Sequence, residues 1–298
     1  FSSLENIQVD RVALGGAPFT QFFSKLNAIK FEDYDLVILE CSPNDESYSD
    51  KIGFSWYFDT LYHGFIASIV QKCNLVVLRV PAQPFLKGQS KVWQRQKRII
   101  ESLGAQTYDM SSSLVTVATS TELTAIYRDK YHPKTDLMFE AGRIFLNWVT
   151  SSYNHGVRNT FSAPPFEIFT QKVSSENKET ISNNLIEESF AILTVGESYK
   201  FPKSGFCLGF FVAAEHSWSC LALHGLDNSV QYCFVYFEPE KNKGQMKFIP
   251  IKNGCYVKAI SLIHPHKIIE YSLHSNVPLD GGNKIAFGDF VFINSVDE

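Results

Sequence analysis

Apolar and polar positions follow two different rhythms in the two halves of this chain. In the first half, short continuous apolar runs alternate with segments of helical period. Asp10 to Leu14 reads as a short strand, followed by Gly15-Gly16 and a helical stretch through Leu26. Asp35 to Cys41 (DLVILEC) and Leu75 to Val80 (LVVLRV, closed by Pro81) are apolar throughout, the pattern of strands covered on both faces. Between them, Phe58 to Gln71 places Leu61, Phe65, Ile66, Ile69 and Val70 on one helical face. Lys91 to Leu103 predicts a basic amphipathic helix, and Asp136 to Tyr153 another, carrying Leu137, Phe139, Ile144, Phe145 and Trp148. Strands alternating with helices predict a doubly wound parallel sheet.

The rhythm changes after Tyr153. Residues 154–165 (NHGVRNTFSAPP) combine a glycine with two prolines and read as a linker between a domain over 1–153 and a second over 166–298. Beyond it come eight short runs: Phe190 to Val195, Phe206 to Ala213, Cys220 to His224, Tyr232 to Phe237, Met246 to Ile251, Tyr256 to Ile263, Ile268 to Leu273 and Ile285 to Phe292. Turn signals separate them, among them Pro202-Lys-Ser-Gly205, Asp227-Asn228, Asn253-Gly254 and Asp280-Gly-Gly282. Short strands at this spacing predict an antiparallel β-sandwich or jelly roll.

Composition narrows the class. With 45% hydrophobic and 19% charged residues, the 298-residue chain is neither disordered nor low in complexity. A net charge of −4 supplies no cationic excess for a phosphate backbone, so nucleic acid is not an expected partner. No apolar stretch approaches the ~20 residues of a membrane span. The cysteines Cys41, Cys73, Cys207, Cys220, Cys233 and Cys255 form no CxxC pair and no zinc spacing, and read as reduced, buried thiols. His264-Pro-His266 lacks a third ligand nearby and reads as a loop. No metal or cofactor is expected.

Three segments of the first half could carry chemistry, and each has a purely structural alternative. Gly15-Gly16-Ala17, between a strand and a helix, could present a backbone N–H to a ligand or be an ordinary tight turn. Ser42-Pro-Asn44-Asp45 follows a buried strand, at the carboxyl edge where open α/β sheets bind ligands. Asn44 could donate to a developing oxyanion there, although Pro-Asn-Asp is also common turn chemistry. Asp129-Lys-Tyr-His132-Pro133 precedes the last helix of this half. Its carboxylate could orient the imidazole as a general base, or simply cap the helix.

Taken in order, these blocks resemble the SGNH (GDSL-like) hydrolases over residues 1–152. Gly16 stands where the family has its second-block glycine. Asn44-Asp45 stand as its Asn-Asp pair, with Ser42 where glycine is usual, and Asp129 and His132 match Asp-x-x-His. The resemblance implies an ester hydrolase or acyltransferase working through an acyl-enzyme. His132 would be general base, Asp129 its orienting partner, and the Gly16 N–H and Asn44 amide the oxyanion donors. The nucleophile is the departure. Ser3, in Phe1-Ser-Ser-Leu4, only weakly echoes the family motif, and from Ser3 to Gly16 there are too few residues for a helical crossover and its second strand. The nucleophile turn and its strand are therefore expected upstream of Phe1.

The large second half suggests an acylated carbohydrate as substrate, by analogy with polymer-active enzymes; another small ester is the broader class. Trp218 and Tyr232 could stack on sugar rings or belong to the core, and Trp56, Tyr57, Phe58, Tyr62 and His63 could line a pocket. A chain of the bacterial cytoplasm or cell envelope fits this class. The alternative is a glycan-binding or scaffolding protein that kept the fold and lost the nucleophile.

Overall fold

The computed structural model describes residues 7–12, 17–46, 56–119, 122–152, 166–182, 187–237, 243–263 and 284–295. The first half is an α/β unit built on three parallel strands in the order β1 (Leu36–Leu39), β2 (Asn74–Arg79), β3 (Gln106–Asp109). The central strand explains its own apolar run. Leu75 and Val77 point into a core with helices α2 (Trp56–Val70) and α3 (Lys91–Ser102), while Val76 packs on the opposite face with α4 (Ser111–Val117) and α6 (Thr135–Ser152). Helices on both faces are the doubly wound arrangement. A helical segment over 42–46 (α1) and the short α5 (Leu123–Ile126) complete this half. Among the described residues β1 forms an edge, and its Ile38 remains 48% exposed.

The expected first strand is corrected here. Residues 10–12 carry no strand; Asp10 instead accepts a hydrogen bond from the Tyr34 hydroxyl (3.1 Å), ahead of β1. Residues 13–16 lie outside the described residues. The expected helix through Leu26 is a 3-10 segment, Phe19–Lys25, which buries Phe19 and Phe23.

Among the described residues the second half is an eight-stranded antiparallel sheet: β4 (Phe166–Lys172), β5 (Lys178–Ser182), β6 (Glu187–Thr194), β7 (Ser198–Ala213), β8 (Trp218–His224), β9 (Val230–Tyr236), β10 (Met246–Ile263) and β11 (Lys284–Ser295). The order is β5-β6-β11-β7-β10-β8-β9, with β4 also on β11. β11 touches β8 through Lys284 and Trp218, which folds the sheet over a core of its own. Two predicted turns are bulges instead. Pro202 to Gly205 lies inside β7. Asn253-Gly254 lies inside β10, where the pairing with β7 shifts between Pro250 and Cys255 and Gly254 takes φ +62°. Residues 251–254 stand there against Leu208 alone, three more on β10 than on β7, and this excess, with the positive φ of Gly254, bends the strand without ending it. The expected strand at 268–273 and linker at 154–165 lie outside the described residues.

The halves share one core. Phe23 stacks on Phe248 of β10 (6.3 Å), and Leu208, Phe211 and Val291 of the sheet join Phe58, Phe65 and Ile66 of α2. The approach is tight at Gly64 of α2, where an added Cβ would come within 2.2 Å of Ile168 Cδ1 on β4. A helix that is apolar nearly all round is one covered on two sides. Here α2 touches β2 of the parallel sheet and also β4 and β10 of the antiparallel one. At the rim Asn27 Nδ2 donates to Thr170 Oγ1 (2.5 Å), and Lys25 pairs with Glu188.

Candidate functional site at the carboxyl edge of the parallel sheet

Chain segments leaving β1, β2 and β3 meet at their carboxyl ends. After β1 the chain turns into α1, fastened by Ser42: its Oγ accepts the Val80 N–H (2.9 Å), and its hydroxyl lies 3.0 Å from Val80 O and 2.9 Å from Glu40 Oε1. With its oxygen held by main chain and carboxylate, Ser42 is an anchor. The next turn carries Asn44, half-buried, with its N–H donating to Cys41 O (3.1 Å).

The loop with Asp129 and His132 is fastened to the same stretch. Gln83 N–H donates to Lys130 O (2.9 Å), the Tyr127 hydroxyl donates to Pro81 O (2.7 Å), and Tyr127 and Pro133 form an isolated antiparallel bridge. The Asn44 turn and the Asp129–His132 loop are therefore both tied to residues 80–83. Neither Tyr127 nor Gln83 announces this role in the sequence, because each acts through a single bond to a distant backbone.

Within the loop, His132 Nδ1 lies 2.8 Å from Asp129 Oδ1 and 2.9 Å from Oδ2. Asp129 Oδ1 also accepts the N–H groups of Tyr131 and His132, both at 2.9 Å. The Tyr131 N–H first, then the His132 ring and N–H, hold the Asp129 carboxyl below the usual carboxylate range. Both side chains are exposed, and among the described residues no hydroxyl hydrogen-bonds to His132 Nε2. The arrangement fixes one ring nitrogen against a carboxylate and leaves the other toward solvent, which is the geometry of an oriented general base. Gly16 and Ser3, the other expected site residues, lie outside the described residues.

Beneath this surface is a buried polar layer. The Arg79 guanidinium, fully buried at the end of β2, donates to Asp109 Oδ2 (2.8 Å), Ser111 Oγ (3.2 Å), Phe85 O (3.2 Å) and Gly88 O (3.3 Å). It lies 3.6 Å from Glu46 Oε1 and 5.8 Å from the Trp93 ring. Ser90 caps α3 by accepting the Trp93 N–H (3.1 Å) and donates its hydroxyl to Glu46 (2.6 Å).

Asp45, only 2% exposed, accepts the Phe19 N–H (2.7 Å) and the Gln96 amide (2.6 Å). Burial outweighs both donors and pushes its pKa from 3.8 up to about 8. A carboxyl whose pKa is raised in the fold favours folding below its unfolded pKa, and that contribution drains away as pH rises through about 8. At roughly 1.4 kcal/mol per unit, the loss reaches several kcal/mol. Asp45→Asn keeps Oδ1 for Phe19 and cannot ionise. Urea midpoints at pH 5 and pH 9 are therefore expected to fall steeply for the parent and little for the variant; parallel changes would contradict the assignment.

Other expectations resolve as packing. Phe58 and Tyr62 are core residues stacked on each other and edge-on to Phe19. His63 is half-buried against Phe166, and burial lowers its pKa. The basic helix α3 buries Val92, Trp93, Gln96 and Ile100, and its Arg95 pairs with Asp59. Trp218 is half-buried, whereas Tyr232 is 56% exposed. The cysteines are free thiols, with Cys233 and Cys255 only partly buried. Among the described residues no three His, Cys, Asp or Glu side chains converge on a metal site, and no helix is long and apolar enough to cross a membrane.

No family model and no curated protein matches the chain. Among solved structures, one similar chain is the capsular polysaccharide assembling protein CapF from Staphylococcus aureus. That likeness has 10% identity and a TM-score of 0.18, and covers 97% of this chain and 88% of that one. A likeness this slight carries no functional weight.

Proposed function

We propose that the chain is a serine esterase or O-acyltransferase of SGNH type, acting on an acylated carbohydrate or another small ester through an acyl-enzyme. The observation that carries this reading is the His132–Asp129 pair, with Nδ1 2.8 Å from the carboxylate, on a loop tied to Pro81 and Gln83, next to the Val80 that holds Ser42 ahead of the Asn44 turn. In the proposed reaction His132 Nε2 takes the proton as a serine oxygen bonds to the acyl carbon, then returns it to the departing alcohol. Asp129 holds the ring, and the Asn44 amide donates to the oxyanion, with Gly16 the second donor that the resemblance implies. Water or a second hydroxyl then receives the acyl group.

A second reading, a glycan-binding or scaffolding protein without catalysis, draws on the lack of a hydroxyl bonded to His132 Nε2 among the described residues. A fluorophosphonate probe separates the two. Attack by an activated serine forms a P–O bond and expels fluoride while the imidazole accepts the proton. The catalytic reading expects one labelled serine, identified by peptide mapping, and no label in His132→Ala. A parent chain that neither takes the label nor hydrolyses p-nitrophenyl acetate would leave the non-catalytic reading standing.

A further inference from the structure

Cysteines stand on four neighbouring strands of the antiparallel sheet: Cys207 on β7, Cys220 on β8, Cys233 on β9 and Cys255 on β10. Cys207 and Cys255 are directly opposed across the β7–β10 pair, and among the described residues no other two cysteines are register partners. Directly opposed residues point to one face of a sheet. Here that face is the core of the β half, where Cys207 is fully buried and Cys255, only partly buried, packs against the same cluster. The adjoining pair bears out the register, since the Phe206 and Tyr256 rings meet edge to face (5.5 Å). Opposed Cα atoms of an antiparallel pair lie about 4.5–5.5 Å apart, within the span that a disulfide bridges.

We infer that Cys207 and Cys255 are a latent disulfide, closed by hydrogen peroxide and reopened by a dithiol. The sulfur of Cys255, the more accessible of the two, attacks one peroxide oxygen. The O–O bond breaks, an S–O bond forms, and the departing hydroxide leaves as water with the thiol proton. Cys207 Sγ then attacks Cys255 Sγ and expels the sulfenic hydroxide, which takes the Cys207 proton and leaves as a second water. Two electrons pass to the peroxide for one S–S bond, and a dithiol returns them as it closes into a disulfide of its own. The bridge fastens β10 just past its bulge and encloses β8 and β9 in one covalent loop. Burial sets the pace: it pushes the Cys255 thiol up to about 11 and the Cys207 thiol well above its ordinary range. Little thiolate is present at neutral pH, so the pair answers to sustained oxidation and not to a brief pulse. Neither cysteine belongs to the proposed catalytic site.

Thiol counting tests it. The folded chain, incubated with hydrogen peroxide and quenched with N-ethylmaleimide, is expected to lose two of its six titratable thiols. Peptide mapping without reductant should show Cys207 joined to Cys255 within one chain, and dithiothreitol should release them. The rate is expected to rise about tenfold for each pH unit between 7 and 9, as the thiolate fraction grows. The bridged chain should melt roughly 5–10 °C higher, because a long loop is closed. In Cys207→Ala the sulfenic acid on Cys255 has no partner and should be trapped by dimedone, whereas Cys255→Ala should form no bridge. A parent that keeps all six thiols, or that bridges only after unfolding in urea, would overturn the pair. So would a bridge that joins Cys233 to either cysteine.

Discussion

Turnover of p-nitrophenyl acetate is expected to fall at least about a hundredfold in His132→Ala, within the range that a positioned general base contributes. Asp129→Asn is the more informative partner experiment. Its Oδ1 still accepts the N–H groups of Tyr131 and His132, so the loop keeps its main-chain bonds. Its Nδ2, however, would donate toward His132 Nδ1, forcing that nitrogen to accept and placing the ring proton on Nε2. An imidazole so arranged cannot take a proton from a serine. Asp129→Asn is therefore expected to lose nearly as much activity as His132→Ala, with the thermal midpoint of both close to the parent's. Rates equal to the parent in either variant would show that the pair is only a loop brace.

The largest expected stability effect belongs to Arg79. Its guanidinium has four hydrogen-bond acceptors and a second carboxylate within ion-pair distance, and no exposure. Arg79→Met removes the cation yet leaves Glu46 and Asp109 at the carboxyl end of the sheet. Abandoning a buried partner in this way costs about 3–5 kcal/mol, most of it the penalty of unpaired charge. In a chain of this size that lowers the melting temperature by roughly 10 °C. Burial already raises the Glu46 pKa, opposed by Ser90 and Arg79. Neutralising that residue as well, in Arg79→Met with Glu46→Gln, should recover part of the loss. Melting curves decide it: no destabilisation in the single variant, or no recovery in the double, would refute this account of the layer.

The residues that were legible in the sequence were those whose signal is local. β1 and β2 could be read because strands covered on both faces are apolar at every position, and Asp129 and His132 because one short loop holds both. β3 (QTYD) escaped notice because its polar ends hide a strand only four residues long. The long strand β7 read as beginning only at Phe206, and β10 as two separate runs, since Pro202 to Gly205 and Asn253-Gly254 carry turn chemistry that the fold uses for bending. Arg79 lay in plain view within an apolar run, but the partner that makes its burial tolerable is Asp109, thirty residues on and on another strand. Pairing of that kind is set by sheet topology, and no spacing in a single sequence records it.

Gly64 carries a consequence for how this chain could have been assembled or divided. At Gly64 α2 lies so close to β4 that an added Cβ would meet the Ile168 side chain at 2.2 Å, and Phe23 stacks on Phe248 across the same boundary, so the two halves share one core. Neither half is a portable module. Cut apart between residues 152 and 166, each would carry into water the apolar surface that it now shares with the other.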